Sequence, residues 1–148
     1  MDSRAYLQTL QGNLLRPDNF KSLELTREWA KRFPNKPAVY AFKHFNDLVY
    51  VGETGNLRGR MLDLLDSRHH TIRRTLGIKN FSRLEGFIKA TNRIKFPDNI
   101  EELLNAHIIR EFKIAFLEVS LGRKELEELI EHQIDKDLKL NKRGRRKN

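Results

Sequence analysis

Two short segments rich in β-branched and aromatic residues, joined by a turn sequence, constrain the fold of this chain most. Residues 38–43 read AVYAFK and residues 48–51 read LVYV, and the residues between them, HFND, supply turn formers. Strand-forming runs separated by so few residues pair as a β-hairpin. The pattern therefore predicts an antiparallel pair at the centre of the fold.

Helical spacing follows the hairpin directly. GETGN interrupts the strand pattern, and NLRGRMLDLLD then places Leu57, Met61, Leu64 and Leu65 at intervals typical of a helix. Residues 110–119 alternate as a third strand, and Gly122 turns the chain into a last helix over 123–135. Phe112, Ile114 and Phe116 are expected on one face of that strand, and Leu126, Leu129, Ile130 and Ile134 on the inner face of that helix.

The remaining segments read as added helices. Residues 18–33 predict a helix with Asp18 as its N-cap and a stop at Pro34. Residues 71–109 predict short helices broken at Gly77 and again at FPDN. The expected fold class is α+β: a small three-stranded, largely antiparallel sheet flanked by helices, with extra N-terminal and mid-chain helices.

Composition limits the class of protein. The chain has 148 residues, enough for one domain, and no cysteine, which excludes disulfides, cysteine-ligated metals and a cysteine nucleophile. No apolar run reaches the length of a membrane span, so we expect a soluble, cytoplasmic protein. The net charge is +9, and the last thirteen residues carry seven Lys or Arg and one Asp. This basic excess indicates a polyanionic partner.

Four residues occur along the chain in an order that indicates a catalytic site. Tyr40 and Tyr50 lie on the two hairpin strands, Arg60 on the following helix and Glu127 on the last helix. The segment AVYAFKHFNDLVYVGETGNLRGRM resembles the GIY-YIG nuclease superfamily, and it looks closest to the nuclease domain of the bacterial excision-repair incision subunit. The resemblance covers residues 38–66 strongly and 110–141 moderately. It implies a single nuclease domain with a core at about 36–141, an N-terminal helical extension over 1–35 and a basic tail over 142–148.

The resemblance also implies a metal-dependent DNA endonuclease and the roles of its residues. One glutamate, Glu127, would bind a single Mg²⁺ or Mn²⁺ ion, with Glu131 as the alternative. Tyr40 would act as a base if Lys43, Arg60 or the metal depressed its pKa, which is ordinarily about 10. Tyr50 would hold the phosphate or the attacking water, and Arg60 would brace the phosphate.

Other family positions are matched less well. Asn141 matches the family's final asparagine, which would bind the phosphate or fix the loop. The first motif reads AVY rather than GIY, and Leu64 stands where many members carry a histidine, so either His69 or His70 could take part. Leu138 replaces a usual proline. On a helical wheel Glu128 faces solvent, whereas Glu127 lies on the flank of the buried face.

Basic and histidine residues around this core are the candidate DNA contacts. They are Arg58, His69, His70, Arg73, Arg74, Lys142, Arg143, Arg145 and Arg146. Two alternatives stay open. Pro97-Asp98 with Glu111-Phe112-Lys113 superficially spells a PD-(D/E)xK nuclease motif, and a basic chain of this kind could also be a non-catalytic nucleic-acid-binding module.

Overall fold

The computed structural model describes residues 2–141. It is an α+β fold whose described part contains six α-helices and four strands. The helices are α1 (Ser3–Leu14), α2 (Arg27–Lys31), α3 (Leu57–Asp63), α4 (Thr71–Phe81), α5 (Asp98–Glu111) and α6 (Arg123–Glu131). The strands are β1 (Lys21–Ser22), β2 (Ala38–His44), β3 (Asp47–Thr54) and β4 (Phe112–Glu118). None of the helices within residues 2–141 combines the length and the apolar character that crossing a bilayer requires.

All four strands pair antiparallel, in the order β1-β4-β2-β3. The predicted hairpin forms with Ala38 opposite Thr54, and β4 pairs along the other side of β2. The expectation of three strands is wrong by one, because Lys21 and Ser22 add a short strand to the outer edge of β4. Two residues are too few to show an alternating pattern, so this strand leaves no periodic signal in the sequence.

The sheet separates two apolar clusters. Tyr40, Phe42 and Ile114 face the larger one, which is covered by α2, α3, α4 and α5. Val39 and Ala41 face the smaller one, which is covered by α1 and α6. Successive residues of a strand point to opposite faces, so each strand contributes to both layers.

The predicted helix over 18–33 is wrong in its extent. Residues Pro17–Asn19 form a 3₁₀ turn, and the α-helix there covers only five residues, Arg27–Lys31. Leu25 has a φ of 57°, a left-handed conformation that a continuous right-handed helix cannot contain. Thr26, rather than Asp18, caps α2 by accepting a hydrogen bond from the Trp29 amide.

The middle of the chain differs from the prediction at one glycine. α4 runs through Gly77 without a break, whereas α5 does begin within FPDN, at Asp98. A Cβ at Gly77 would lie 2.3 Å from the ring of Phe96. Gly77 therefore admits this ring against the helix instead of ending it.

Candidate active site

The hairpin and α3 bring Tyr40, Tyr50 and Arg60 together on the face of the larger core. The Tyr40 and Tyr50 ring centroids are 6.1 Å apart. Nε of Arg60 donates a hydrogen bond of 3.2 Å to the Tyr40 hydroxyl. Tyr40 is thus the neighbour of both Tyr50 and Arg60, although twenty residues separate it from Arg60.

Local capping orients Arg60. Asn56 is the N-cap of α3, and its side chain accepts a hydrogen bond from the Gly59 amide at 3.2 Å. Leu57 and Met61 then point into the core and are fully buried. Arg60 lies on the flank of this buried face, where its guanidinium reaches the hydroxyl of Tyr40.

His70 completes the surroundings of Tyr40. Its Nε2 lies 2.9 Å from the Tyr40 hydroxyl, and its Nδ1 accepts a hydrogen bond from the Ile72 amide. Because Nδ1 is an acceptor, neutral His70 carries its proton on Nε2 and donates it to Tyr40. Burial lowers the pKa of His70 well below 6.5, and Arg60, Arg73 and Arg74 lower it further, so the ring is neutral at pH 7.

Both tyrosines are more weakly acidic than a free phenol. Burial raises the pKa of Tyr40 well above 10, and the neighbouring Tyr50 raises it further against the opposing charge of Arg60. Burial also raises the pKa of Tyr50. The condition for Tyr40 to act as a base was a depressed pKa, and this environment changes the pKa in the opposite direction.

Arg60 donates hydrogen bonds to two groups besides Tyr40. Nη1 donates hydrogen bonds to Oδ2 of Asp63 at 3.2 Å and to the His69 carbonyl at 3.1 Å. Burial lowers the pKa of Arg60, but Tyr40, Tyr50 and Asp63 outweigh this effect and the net shift is upward. The guanidinium is therefore a fixed positive charge beside the two hydroxyls.

Glu127 is a carboxylate of α6 whose charge acts on Tyr50. It is half-buried on α6, and its charge contributes to the raised pKa of Tyr50. Glu131 is 6 % exposed and forms an ion pair with Lys139 at 3.6 Å. Glu128 is exposed, as its helical phase predicts. The electrostatic effect on Tyr50 is therefore the observation that makes Glu127 a candidate carboxylate of this site.

A metal at this position would have one protein carboxylate. Within residues 2–141, no three His, Cys, Asp or Glu side chains are grouped so that they could hold an ion. One carboxylate with water and phosphate oxygens is a donor set that suits Mg²⁺ or Mn²⁺. Glu127 fits that requirement, because it is partly accessible and acts electrostatically on Tyr50.

Two further family positions lie away from the hydroxyls. Lys43 is on the opposite face of the sheet from Tyr40, with Nζ 4.4 Å from the centre of the Phe20 ring. The two-residue period of a strand predicts this, since an odd spacing reverses the face. Asn141 Nδ2 donates to the Val51 carbonyl at 2.7 Å, and its Oδ1 accepts from the Val51 amide at 3.1 Å. Of its two expected roles, the geometry favours fixing the loop.

The side chains of the candidate DNA contacts differ in how exposed they are. The side chains of His70 and Arg73 are buried, and Arg73 forms an ion pair with Glu101, so neither can reach a phosphate. His69 is exposed, whereas Arg58 and Arg74 are half-buried and donate to backbone carbonyls. Lys142, Arg143, Arg145 and Arg146 lie outside the described residues.

The PD-(D/E)xK alternative is wrong on geometry. Asp98 begins α5 and Glu111 ends it, fourteen residues along one helix. At 1.5 Å per residue, the two carboxylates are separated by roughly 20 Å. They cannot share a metal or a phosphate.

The sequence left two neighbours of the tyrosines unassigned. The sequence leaves the role of His70 open between two adjacent histidines, and no motif marks Thr71, whose hydroxyl hydrogen-bonds to Tyr50 and lowers the pKa of Tyr50 against the effect of burial. The signal that could have found them is the start of α4, where His70 is the N-cap and Thr71 the first helical residue.

No family model, no curated protein and no solved structure matches this chain.

Proposed function

We propose that this chain is a metal-dependent endonuclease of the GIY-YIG kind that hydrolyses phosphodiester bonds in DNA. The observation that carries the proposal is the convergence of Arg60 with the hydroxyls of Tyr40 and Tyr50, with the charge of Glu127 acting on Tyr50. A cation and a metal-binding carboxylate supply the charge stabilisation that phosphodiester hydrolysis requires, and the hydroxyls can orient the phosphate or the attacking water.

Arg60 stabilises the negative charge that develops on the phosphate. Its guanidinium stays charged at every physiological pH and is held in place by Tyr40, Asp63 and the His69 carbonyl. A charge that is already oriented needs no reorganisation when the transition state forms.

Glu127 holds the divalent cation. When bound, Mg²⁺ or Mn²⁺ supplies Lewis-acid polarisation of the phosphate. The proposal favours Glu127 because its side chain is partly accessible and its charge acts on Tyr50.

The tyrosines orient the reactants rather than remove protons. Burial raises the pKa of each, so both carry their protons at pH 7 and act as hydrogen-bond donors. Tyr40 is 1 % exposed and receives hydrogen bonds from Arg60 and from His70, so its own proton is left for Tyr50 and it positions Tyr50 rather than contacting the phosphate. Tyr50, with the less strongly raised pKa, is assigned to the phosphate or the attacking water.

The alternative function is a nucleic-acid-binding module without catalysis, which the basic tail supports. A carboxylate beside a phosphate site weakens such binding, because like charges repel. The position of Glu127 near the tyrosines therefore favours the enzyme.

The test is cleavage of plasmid, nicked, branched and single-stranded DNA with Mg²⁺ or with EDTA. We expect cleavage with the metal alone. Glu127→Gln should lower the rate by about 100-fold or more, the size typical of losing one electrostatic stabiliser. Its DNA affinity should be equal or slightly higher, since one repelling charge is gone.

The matched control is Glu128→Gln, which makes the same change one residue away on the exposed face of α6. It should leave both rate and affinity unchanged. DNA binding without cleavage under any of these conditions would support the binding module instead, and full activity in excess EDTA would refute the metal role.

A further inference from the structure

A basic groove lies between α4 and two later segments of the chain. It has a volume of about 570 Å³, within the range of roughly 300–1,000 Å³ found for small-ligand sites. Among residues 2–141, four cationic side chains and no carboxylate line it. These cations, which define the basic groove, are Arg74, Lys79, Lys89 and Lys139.

The basic groove is continuous with the candidate active site. Thr71 lines it and also hydrogen-bonds to Tyr50. Leu140 lines it too, and the next residue, Asn141, is bound to β3 beside Tyr50. The groove and the candidate active site therefore adjoin at Thr71 and at residues 140–141, so a strand whose phosphate lies at Tyr50 is adjacent to the groove.

The charge of the groove is available to a ligand. Lys79, on α4, and Lys89, in the segment that follows it, are both exposed. Arg74 uses Nη1 to bind the carbonyls of Ser67 and Arg68. Lys139 is paired with Glu131. Lys79 and Lys89 are thus the cations best placed to neutralise a phosphate.

The floor of the groove is apolar. Ile78, Ala90 and Leu140 line it and are less exposed than Lys79 and Lys89, so the apolar surface lies deeper than these two cations. A duplex presents only its phosphates to such a rim, because its bases are stacked inside. An unpaired base can leave the stack and cover an apolar surface while its phosphate stays at the rim.

We infer that the basic groove binds an unpaired nucleotide of the DNA strand that flanks the cleaved bond, with its phosphate at Lys79 and Lys89 and its base on the floor. This inference rests on the proposed function and adds a substrate class to it, namely DNA with single-stranded character beside the cut. The two lysines that carry it, Lys79 and Lys89, lie outside the segments that carry the family resemblance.

The test measures affinity in EDTA, where binding is separated from cleavage. Fluorescence anisotropy compares a blunt duplex with a forked duplex that has two unpaired arms, for the wild type, for Lys79→Ala/Lys89→Ala and for a control. The control, Lys21→Ala/Lys113→Ala, removes two exposed lysines from β1 and β4, the strands farther from β3 in the sheet.

We expect the wild type to bind the forked duplex about 10-fold more tightly than the blunt one. Lys79→Ala/Lys89→Ala should abolish this preference and reduce the salt slope for the fork by about 1 to 1.5, since each single-strand phosphate contact contributes roughly 0.7. The control should keep the preference. All four lysines are exposed, so neither double variant removes a core side chain.

Equal affinity of the wild type for fork and blunt duplex would overturn the inference, as would equal losses in the two double variants. Either result leaves the proposed function standing if Mg²⁺-dependent cleavage is observed. If the preference for the fork depends on Lys79 and Lys89 but no cleavage is observed, nucleotide binding by the basic groove is supported and the proposed endonuclease function is refuted.

Discussion

The ring of Tyr40 lies directly against the backbone of Gly52, its partner across the hairpin. A Cβ built at Gly52 would come within 2.6 Å of Cζ and 2.7 Å of the hydroxyl oxygen of Tyr40. The glycine that follows Tyr50 and Val51 is therefore required by the side chain of the tyrosine on the other strand. Its absent side chain is what lets the Tyr40 hydroxyl reach Arg60 and His70.

Gly52→Ala should destabilise the protein and displace Tyr40. Overpacking of a buried site costs about 1–3 kcal/mol, and the ring that would have to shift is 1 % exposed. Urea denaturation measures the loss, and cleavage should fall with it. The control is Gly55→Ala, where a Cβ meets nothing within 4 Å, and its effect should stay within about 0.5 kcal/mol. Equal effects of the two changes would contradict the packing of Tyr40 on Gly52.

The stability of the protein should fall as the pH is lowered from 7 to 5, because of His70. Burial lowers the pKa of His70 in the folded state, whereas an unfolded histidine binds a proton below about 6.5. The unfolded state thus binds more protons in this range, and unfolding becomes easier by up to about 1.4 kcal/mol for each pH unit. Urea denaturation at several pH values measures this slope.

His70→Gln should flatten that slope, whatever it does to stability at pH 7. His107 contributes in the same direction, since burial also lowers its pKa, but it is less deeply buried. His107→Gln should therefore keep the greater part of the slope. A slope that His70→Gln leaves unchanged would show that another group causes it.

Glu101→Gln should cost more stability than a change at a surface ion pair. Glu101 accepts hydrogen bonds from Arg73, Ser67 and the Phe96 amide, and the Arg73 side chain is fully buried. Removing one partner of a buried pair leaves an uncompensated charge and costs about 3–5 kcal/mol. Asp18→Asn is the control, because Asp18 and its partner Arg16 are mostly exposed, and we expect it to cost under about 1 kcal/mol in the same urea titration.

Lys43→Met should leave cleavage unchanged within about 2-fold, since a residue that does not contact the phosphate contributes no transition-state stabilisation. Lys43 lies over Phe20 on the face away from Tyr40. Arg60→Lys should lower the rate by about 10-fold or more, because lysine cannot reproduce the fixed guanidinium fork. Initial rates of cleavage compare the two. Loss of activity in a folded Lys43→Met protein would mean that Lys43 reaches the phosphate.

The local part of this fold could be predicted from the sequence. The hairpin over β2 and β3, the helix that carries Arg60 and the buried faces of β4 and α6 all follow from turn chemistry and from periods of two or 3.6 residues. Tyr40, Tyr50 and Arg60 could be chosen together because the hairpin brings its own strands into contact and α3 follows it directly. These signals act over a few neighbouring residues, so one sequence contains them.

The rest depended on contacts between distant segments. β1 forms because Lys21 and Ser22 pair with the edge of β4. α2 is short because Leu25 takes a left-handed conformation. His70 reaches Tyr40 across thirty residues, and Arg73 reaches Glu101 across twenty-eight. No local period encodes which of two adjacent histidines turns inward or which arginine is buried. Packing decides it, because a polar side chain enters the core only where a distant partner satisfies its hydrogen bonds.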